Sequence, residues 1–240
     1  MSNEILLSVV IPVYNERGNL PITLARVADT PFDKEVIIVD DGSTDGTREY
    51  LDALQAGKES VKGLDKSRIQ IVFQQCNGGK GSALRSGFKL VKGRFTLIQD
   101  ADLEYDPADF APMLAPLVAG RADVVYGTRL AGGAPHRVLF FWHSIGNGLL
   151  TLFSNMMTNL NLTDMETGYK AFRSDLIPRL KLTSNRFGVE PEITARFAQL
   201  KARIYEVPVA YHGRTYAEGK KVSWRDGFAA IWYILKSRFF

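Results

Sequence analysis

The stretch Gln99-Asp100-Ala101-Asp102-Leu103-Glu104 sets three carboxylates at alternate positions just after the apolar run Phe95-Thr96-Leu97-Ile98. That run reads as a buried strand, and a buried strand does not end in three acids without something to balance them, because unpaired buried charge is costly. Carboxylates at the C-terminal lip of a parallel strand suit a hard cation such as Mg²⁺ or Mn²⁺. Asp100, Asp102 and Glu104 are therefore candidate metal ligands. A solvated strand end leading into the helix opened by Asp106-Pro107 is the competing reading, and for an isolated D-x-D it would be favoured.

Other polar residues fall in equivalent places. Ser8-Val9-Val10-Ile11 is followed by Pro12-Val13-Tyr14-Asn15-Glu16, and Val36-Ile37-Ile38-Val39 by Asp40-Asp41-Gly42-Ser43. Val124-Val125-Tyr126 is followed by Gly127-Thr128-Arg129. These strand ends offer an aromatic ring, carboxylates and a cation, a set that suits a nucleoside diphosphate with its metal. No G-x-G-x-x-G follows the first strand and no Walker lysine motif occurs, which disfavours dinucleotide and P-loop readings. Asn77-Gly78-Gly79-Lys80-Gly81-Ser82 opens a helix and could approach a ligand closely, or be a plain helix-start turn.

The elements that must position these residues alternate. Helical spacing covers Leu20 to Val27, Thr44 to Leu54 and Gly79 to Val91; strands are expected at the four runs above and at Ile69 to Phe73. Asp106 caps a further helix with Pro107 at its first position. Apolar strands alternating with amphipathic helices predict an α/β fold with a mostly parallel sheet covered on both faces. In such sheets ligands sit at the C-terminal strand ends.

The chain has 240 residues, enough for one large domain or one with an appendage. Its net charge is +4, and residues 213–240 hold six cations against two anions, the whole of the excess. A basic C-terminal segment suggests phosphate ligands or an anionic membrane surface. Cys76 is the single cysteine, which excludes a disulfide framework and fits a reducing compartment. The N-terminus does not read as a signal peptide. Residues 138–163 carry no Asp, Glu, Lys or Arg, yet their asparagines and hydroxyls are too many for a spanning helix, so the segment is expected to be buried or interfacial.

Four motifs in order, Val9-Val10-Ile11-Pro12-Val13-Tyr14-Asn15-Glu16, Val39-Asp40-Asp41-Gly42-Ser43, Gly79-Lys80-Gly81 and Gln99-Asp100-Ala101-Asp102, resemble family 2 of the glycosyltransferases. These are inverting enzymes of the Rossmann-like GT-A fold. Within that family the chain resembles the dolichyl- and polyprenyl-phosphate sugar synthases. Asp102-Leu103-Glu104 matches their D-L-Q with Glu for Gln, Gly127-Thr128-Arg129 matches their G-S-R, and Gly168 to Arg173 resembles their G-F-x-x-F/R. The likeness implies that Pro12, Tyr14, Glu16 and Asp40 hold the base and ribose of a nucleotide sugar. It places the metal and diphosphate at Asp100, Ala101, Asp102 and Glu104, and brings Arg129, Arg214 and Lys220 to phosphates. Of Asp40 and Asp41, one is expected to cap the following helix and the other to bind.

The second half reads less clearly. Arg137 to Leu160 has helical apolar spacing; Phe140, Phe141 and Trp142 belong in a core or on a lipid tail. His136 and His143 are read as structural. Residues 1–212 form the expected catalytic domain, divided near 130 into donor and acceptor sides. Residues 213–240 form a basic loop, which could close over a diphosphate, and an amphipathic helix. That helix, with Trp224, Trp232 and flanking Lys236 and Arg238, packs on the domain or lies in a membrane interface. No membrane span is expected, and a peripheral position on the cytoplasmic face is.

The implied reaction moves one sugar, mannose or glucose, from a GDP- or UDP-hexose to a polyprenyl phosphate, with Mg²⁺ or Mn²⁺ as cofactor and no nucleic acid involved. Asp102, Arg129 and Arg214 would be the catalytic residues. One rival is transfer to a hydroxyl, which needs a general base, with Asp164, Glu166 and Glu190 as candidates. Another is a non-enzymatic nucleotide-sugar-binding protein.

Overall fold

The computed structural model describes residues 5–130, 132, 137, 138, 140–186, 188–215 and 224–239. In the last of these segments side chains are described for residues 229–236. Seven strands form one sheet: β1 (Leu7–Val13), β2 (Lys34–Asp40), β3 (Ile69–Phe73), β4 (Phe95–Ile98), β5 (Val124–Thr128), β6 (Lys170–Arg173) and β7 (Ile204–Pro208), in the order β3-β2-β1-β4-β6-β5-β7. All neighbours are parallel except β6, which runs antiparallel to both β4 and β5. The expected α/β architecture is therefore present, with a single reversed strand inside the sheet.

Among the described residues eight helices accompany it: α1 (Leu20–Ala28), α2 (Thr47–Ala56), α3 (Lys80–Phe88), α4 (Phe110–Val118), α5 (Phe141–Thr158), the one-turn α6 (Ile177–Leu180), α7 (Val189–Gln199) and α8 (Trp224–Phe239). Side chains on β1 and β2 alternate between two cores, as the pleat requires. Leu7, Val9, Ile11, Val36 and Ile38 pack with α1, α2 and α4. Val10, Ile37 and Val39 pack on the other face with α3 and α7. Both faces being covered explains why these strands are unbroken apolar runs.

The helix starts differ in detail from expectation. Asp106 does cap, accepting from Ala108 N at 3.0 Å, but it opens a 3₁₀ turn (Pro107–Asp109) that leads into α4. Neither Asp40 nor Asp41 caps α2; Thr47 N donates to Asp45 Oδ1 at 3.1 Å. The tight turn after β2 relies on Gly42, whose φ is +77° and whose Cβ would lie 2.9 Å from Asn77 N.

The larger correction concerns α5. Its apolar stripe faces outward: Phe141 (65% exposed), Trp142 (79%), Ile145, Leu149 (61%), Leu152 and Met156 are all exposed. Phe140, Phe141 and Trp142 are not core residues. The side turned to the domain is mixed: Thr151 and Ser154 are buried, and Leu150, Phe153 and Met157 are partly buried against the core. Thr151 Oγ1 accepts from Met165 N at 3.2 Å, and Asn155 exchanges two hydrogen bonds with the backbone of Leu162. The helix is therefore apolar on two sides, with Leu150, Phe153 and Met157 toward the core and a second stripe left outside. Among the described residues no helix is long and apolar enough to cross a membrane.

Candidate active site

The sheet order reverses direction of growth at β1, with β2 on one side and β4 on the other. A crevice at the C-terminal ends of such strands is where ligands bind in open α/β sheets. There the loops after β1 and β4 bring together Glu16, Asp100, Asp102 and Glu104, and a segment after β7 adds Arg214.

That segment is fastened to the β4 loop. Tyr105 and Tyr211 form an isolated antiparallel bridge and their rings lie 5.4 Å apart. His212 N donates to Glu104 O, and Arg214 N donates to Glu104 Oε1, each at 2.9 Å. The Arg214 guanidinium then meets three carboxylates: Glu16 at 3.1 Å, Asp102 at 3.1 Å and Glu104 at 3.5 Å. Burial first, then the charges of Asp100 and Glu104, pushes the Asp102 carboxyl up to about 7, with Arg214 pulling the other way. A carboxyl so crowded by its own kind marks a site short of positive charge, which fits the hard-oxygen chemistry of a divalent cation.

Asp100 is placed otherwise. Both its oxygens meet Lys80 Nζ, at 2.8 and 2.9 Å, and Lys80 also pairs with Glu190 at 3.0 Å. Lys170, on β6, completes the buried chain by donating to Glu190 and to the Thr167 carbonyl. Against the cost of burial, Lys170 and Lys80 hold the Glu190 carboxyl below the usual range. The Asp100 carboxylate is thus paired with the Lys80 ammonium. Among the described residues no three His, Cys, Asp or Glu side chains stand ready as a metal cage. Asp102 and Glu104 lie beside Asp100 and are engaged by the protein as well, Asp102 by the Arg214 guanidinium and Glu104 by Arg214 N and the Tyr211 hydroxyl. Gly168 keeps room for the Asp100–Lys80 contact, since a Cβ there would strike Asp100 Oδ2.

The donor residues of β1 and β2 divide. Tyr14 and Pro12 are half-buried at the crevice. Asp40 is fully buried, accepting from Arg48 Nε at 3.0 Å and from Ser43 N at 3.2 Å, so it fixes the loop and offers a ligand no surface. Asp41 accepts from Gly78 N and Gly79 N, at 2.8 and 2.7 Å, and ties the glycine turn to β2. Both carboxylates are thus engaged by the protein. Ala101 is buried and its carbonyl accepts from Thr23 Oγ1 at 3.3 Å. Lys220 lies outside the described residues, as do His136 and the rest of the loop 216–223.

After β5, Arg129 is clamped by Asp164, with Nε and Nη2 donating at 2.6 and 2.7 Å. Two of its five donor hydrogens are thus spent, and the guanidinium also lies 5.0 Å from the centre of the Tyr211 ring. Asn147, on the inner face of α5, donates to Asp164 Oδ1 at 3.1 Å. Of the three candidate bases, Asp164 and Glu190 are committed to cations. Glu166 has one oxygen, Oε1, that is buried and has no hydrogen-bond partner among the described residues. Burial first, then Glu190, pushes its carboxyl up to about 7.

Lys170, Asn147 and the tyrosines 105, 169 and 211 escaped the sequence reading as site residues, and the sequence marks Glu190 as a candidate base but not as the partner of Lys80 and Lys170. Only the Gly-Gly-Lys-Gly turn signalled Lys80.

A mixed sheet with carboxylates and a guanidinium at its switch point agrees with the GT-A architecture that the sequence motifs imply. The profile of glycosyl transferase family 2 matches residues 8–180, and the chain belongs to that family. It is 31% identical, over 95% of its own length and 97% of the relative's, to an undecaprenyl-phosphate mannosyltransferase of Micrococcus luteus. A polyprenol monophosphomannose synthase of Mycolicibacterium smegmatis is 28% identical over 86% of this chain and 77% of the relative. Among solved structures, a Mycobacterium tuberculosis glucosyl-3-phosphoglycerate synthase in complex with Mg²⁺ and UDP superposes with a TM-score of 0.67. That superposition covers 97% of this chain and 79% of the other at 20% identity, and shows the shared fold.

Proposed function

We propose that this glycosyltransferase moves one hexose, with inversion, from a nucleotide-sugar donor to a polyprenyl phosphate at a membrane surface. One observation carries the reading: α5 turns an apolar face outward while its inner Asn147 touches the Asp164–Arg129 pair. An apolar surface therefore adjoins a cationic corner of the cleft, and a lipid phosphate has that same pairing of tail and anion. The relatives named for undecaprenyl-phosphate and polyprenol substrates support the same acceptor.

A divalent cation, Mg²⁺ or Mn²⁺, would be held by Asp102 with Glu104 and would neutralise charge growing on the leaving diphosphate. Arg214 sits within reach of the same space, and Lys220 follows it in sequence. Both would add electrostatic stabilisation. Tyr14, Pro12 and Glu16 line the nucleoside side. The acceptor phosphate carries roughly −1.5 to −2 charge near neutral pH. It needs positioning by Arg129, not deprotonation.

A second reading, transfer to a hydroxyl, is favoured by Glu166 alone, the one candidate base with an uncommitted oxygen and a pKa of about 7. Incubation with radiolabelled GDP- and UDP-hexoses and a short-chain polyprenyl phosphate separates the two. Label in the lipid extract is expected, and Glu166→Gln should retain most of it. Label found only on soluble glycan, and abolished in Glu166→Gln, would establish the hydroxyl acceptor instead.

The apolar face of α5 continues onto α8, where Ile231 and Trp232 (65% exposed) stand beside the exposed Lys236. Exposed Trp with nearby cations suits an interfacial position. Peripheral attachment, on the leaflet facing the cytoplasm, follows from this reading.

A further inference from the structure

Glu16, Asp102 and Glu104 come from two different strand ends, yet all three meet one cation that the chain itself supplies. We propose that Arg214 is the resident counter-cation of these carboxylates, and that it makes the site select a metal–nucleotide complex over a free divalent ion. The proposal rests on the reading of this crevice as a metal-dependent nucleotide-sugar site.

Charge and geometry argue for it together. Three carboxylates around one guanidinium leave the nest negative, so a divalent cation is attracted to it. While Arg214 is seated, however, an incoming ion meets a fixed positive charge already 3.1 Å from Asp102 Oδ2. Repulsion at such range is strong in a partly buried site. A diphosphate changes the balance, because its oxygens match the guanidinium fork as well as a carboxylate does. Arg214 can then exchange carboxylate for phosphate as the metal takes the carboxylate.

The seat is built for exchange. Arg129 on the same scaffold holds Asp164 in a fork at 2.6 and 2.7 Å. Arg214 instead spreads over three partners at 3.1 to 3.5 Å, and its Nε is buried without a hydrogen bond. The backbone beneath it does not need to move. His212 N and Arg214 N donate to Glu104, and Tyr211 O–H donates to Glu104 Oε2 at 2.9 Å. A side chain on an anchored backbone can leave the carboxylates without freeing the segment.

The test reads Mn²⁺ binding to the full chain by electron paramagnetic resonance, with Mn²⁺ alone and with UDP or GDP added. The unsubstituted protein should bind Mn²⁺ weakly alone and much more tightly with a nucleoside diphosphate. Arg214→Gln should bind Mn²⁺ alone about tenfold more tightly, while its Mn²⁺-dependent nucleotide affinity falls. Arg214→Lys, which keeps the charge but not the fork, should stay within a few-fold of the unsubstituted protein for Mn²⁺ alone. A folded Arg214→Gln protein that binds Mn²⁺ no more tightly overturns the proposal. Should that variant not fold, equal Mn²⁺ affinity of the unsubstituted protein with and without nucleotide overturns it as well. A protein that binds neither UDP nor GDP overturns the donor-site reading and this role with it. Failure to glycosylate polyprenyl phosphate touches neither measurement.

Discussion

Glu166 and Asp164 are two residues apart and have opposite fates. Burial acts on both, but Arg129 holds the Asp164 carboxyl low, whereas at Glu166 burial and the charge of Glu190 outweigh the pull of Lys170 and Arg129 and the carboxyl rises to about 7. The sign of the stability effect follows. Between the unperturbed value of 4.5 and about 7 the folded protein keeps a proton on Glu166 that the unfolded chain has lost. Unfolding then releases a proton, so stability falls as pH rises through that window. Glu166→Gln should flatten this part of the curve and leave the protein more stable than its parent at pH 8, measured by urea unfolding from pH 4 to 8. An unchanged profile would show that Glu166 is solvated. The acids were legible in the sequence and their partners were not. Lys80 lies 20 positions before Asp100, and Arg214 lies 198 after Glu16. Such pairs are made by strand order, which no local pattern encodes. Asp40 shows the same limit: its place at the end of β2 is legible, but its partner Arg48, the second residue of α2, is not.

At the scale of elements, α5 is the instructive case. Its periodicity gives a helix, and the structure has one, but periodicity does not say which face meets the sheet. The inner face is set by Asn147, Thr151 and Asn155, which serve Asp164, Met165 and Leu162. The same side already sends Leu150, Phe153 and Met157 against the core, so the domain face is filled without the outer stripe. The outward stripe is therefore surface, and surface substitutions leave stability nearly unchanged, within about 0.5 kcal/mol. Trp142→Gln combined with Leu149→Gln should thus melt with the parent. The pair forfeits about 1.5–3 kcal/mol per fully buried side chain if the stripe enters lipid. Co-sedimentation with vesicles of mixed neutral and anionic lipid should weaken tenfold or more. Binding unaffected by the pair would place the lipid contact elsewhere, and a large drop in melting temperature would mean that the stripe packs on protein.

The whole molecule depends on the reversed strand β6. Inserted between β4 and β5, it carries Lys170 under the cleft and leads from Gly168, which faces Asp100. It joins the half that would hold the donor to the half that would hold the acceptor within one sheet, and the tyrosine stack of 105, 169 and 211 spans the same junction. Alternating strand and helix patterns announce a parallel sheet; a lone antiparallel strand after a long helix is invisible to them. Because the donor crevice draws on β1, β4 and the segment after β7, a ligand there should stabilise the fold as one unit. Saturation at 100 times Kd adds about 2.7 kcal/mol, and in a domain of this size each kcal/mol moves the melting point by roughly 2–4 °C. With Mn²⁺ present, either a UDP- or a GDP-hexose should therefore raise it by roughly 5–10 °C. The matching nucleoside monophosphate should do much less, since it lacks the β-phosphate that Arg214 and the metal would share. An equal shift with the monophosphate would mean that the crevice reads the nucleoside alone, and that the charges gathered around Asp102 serve the fold and not the donor.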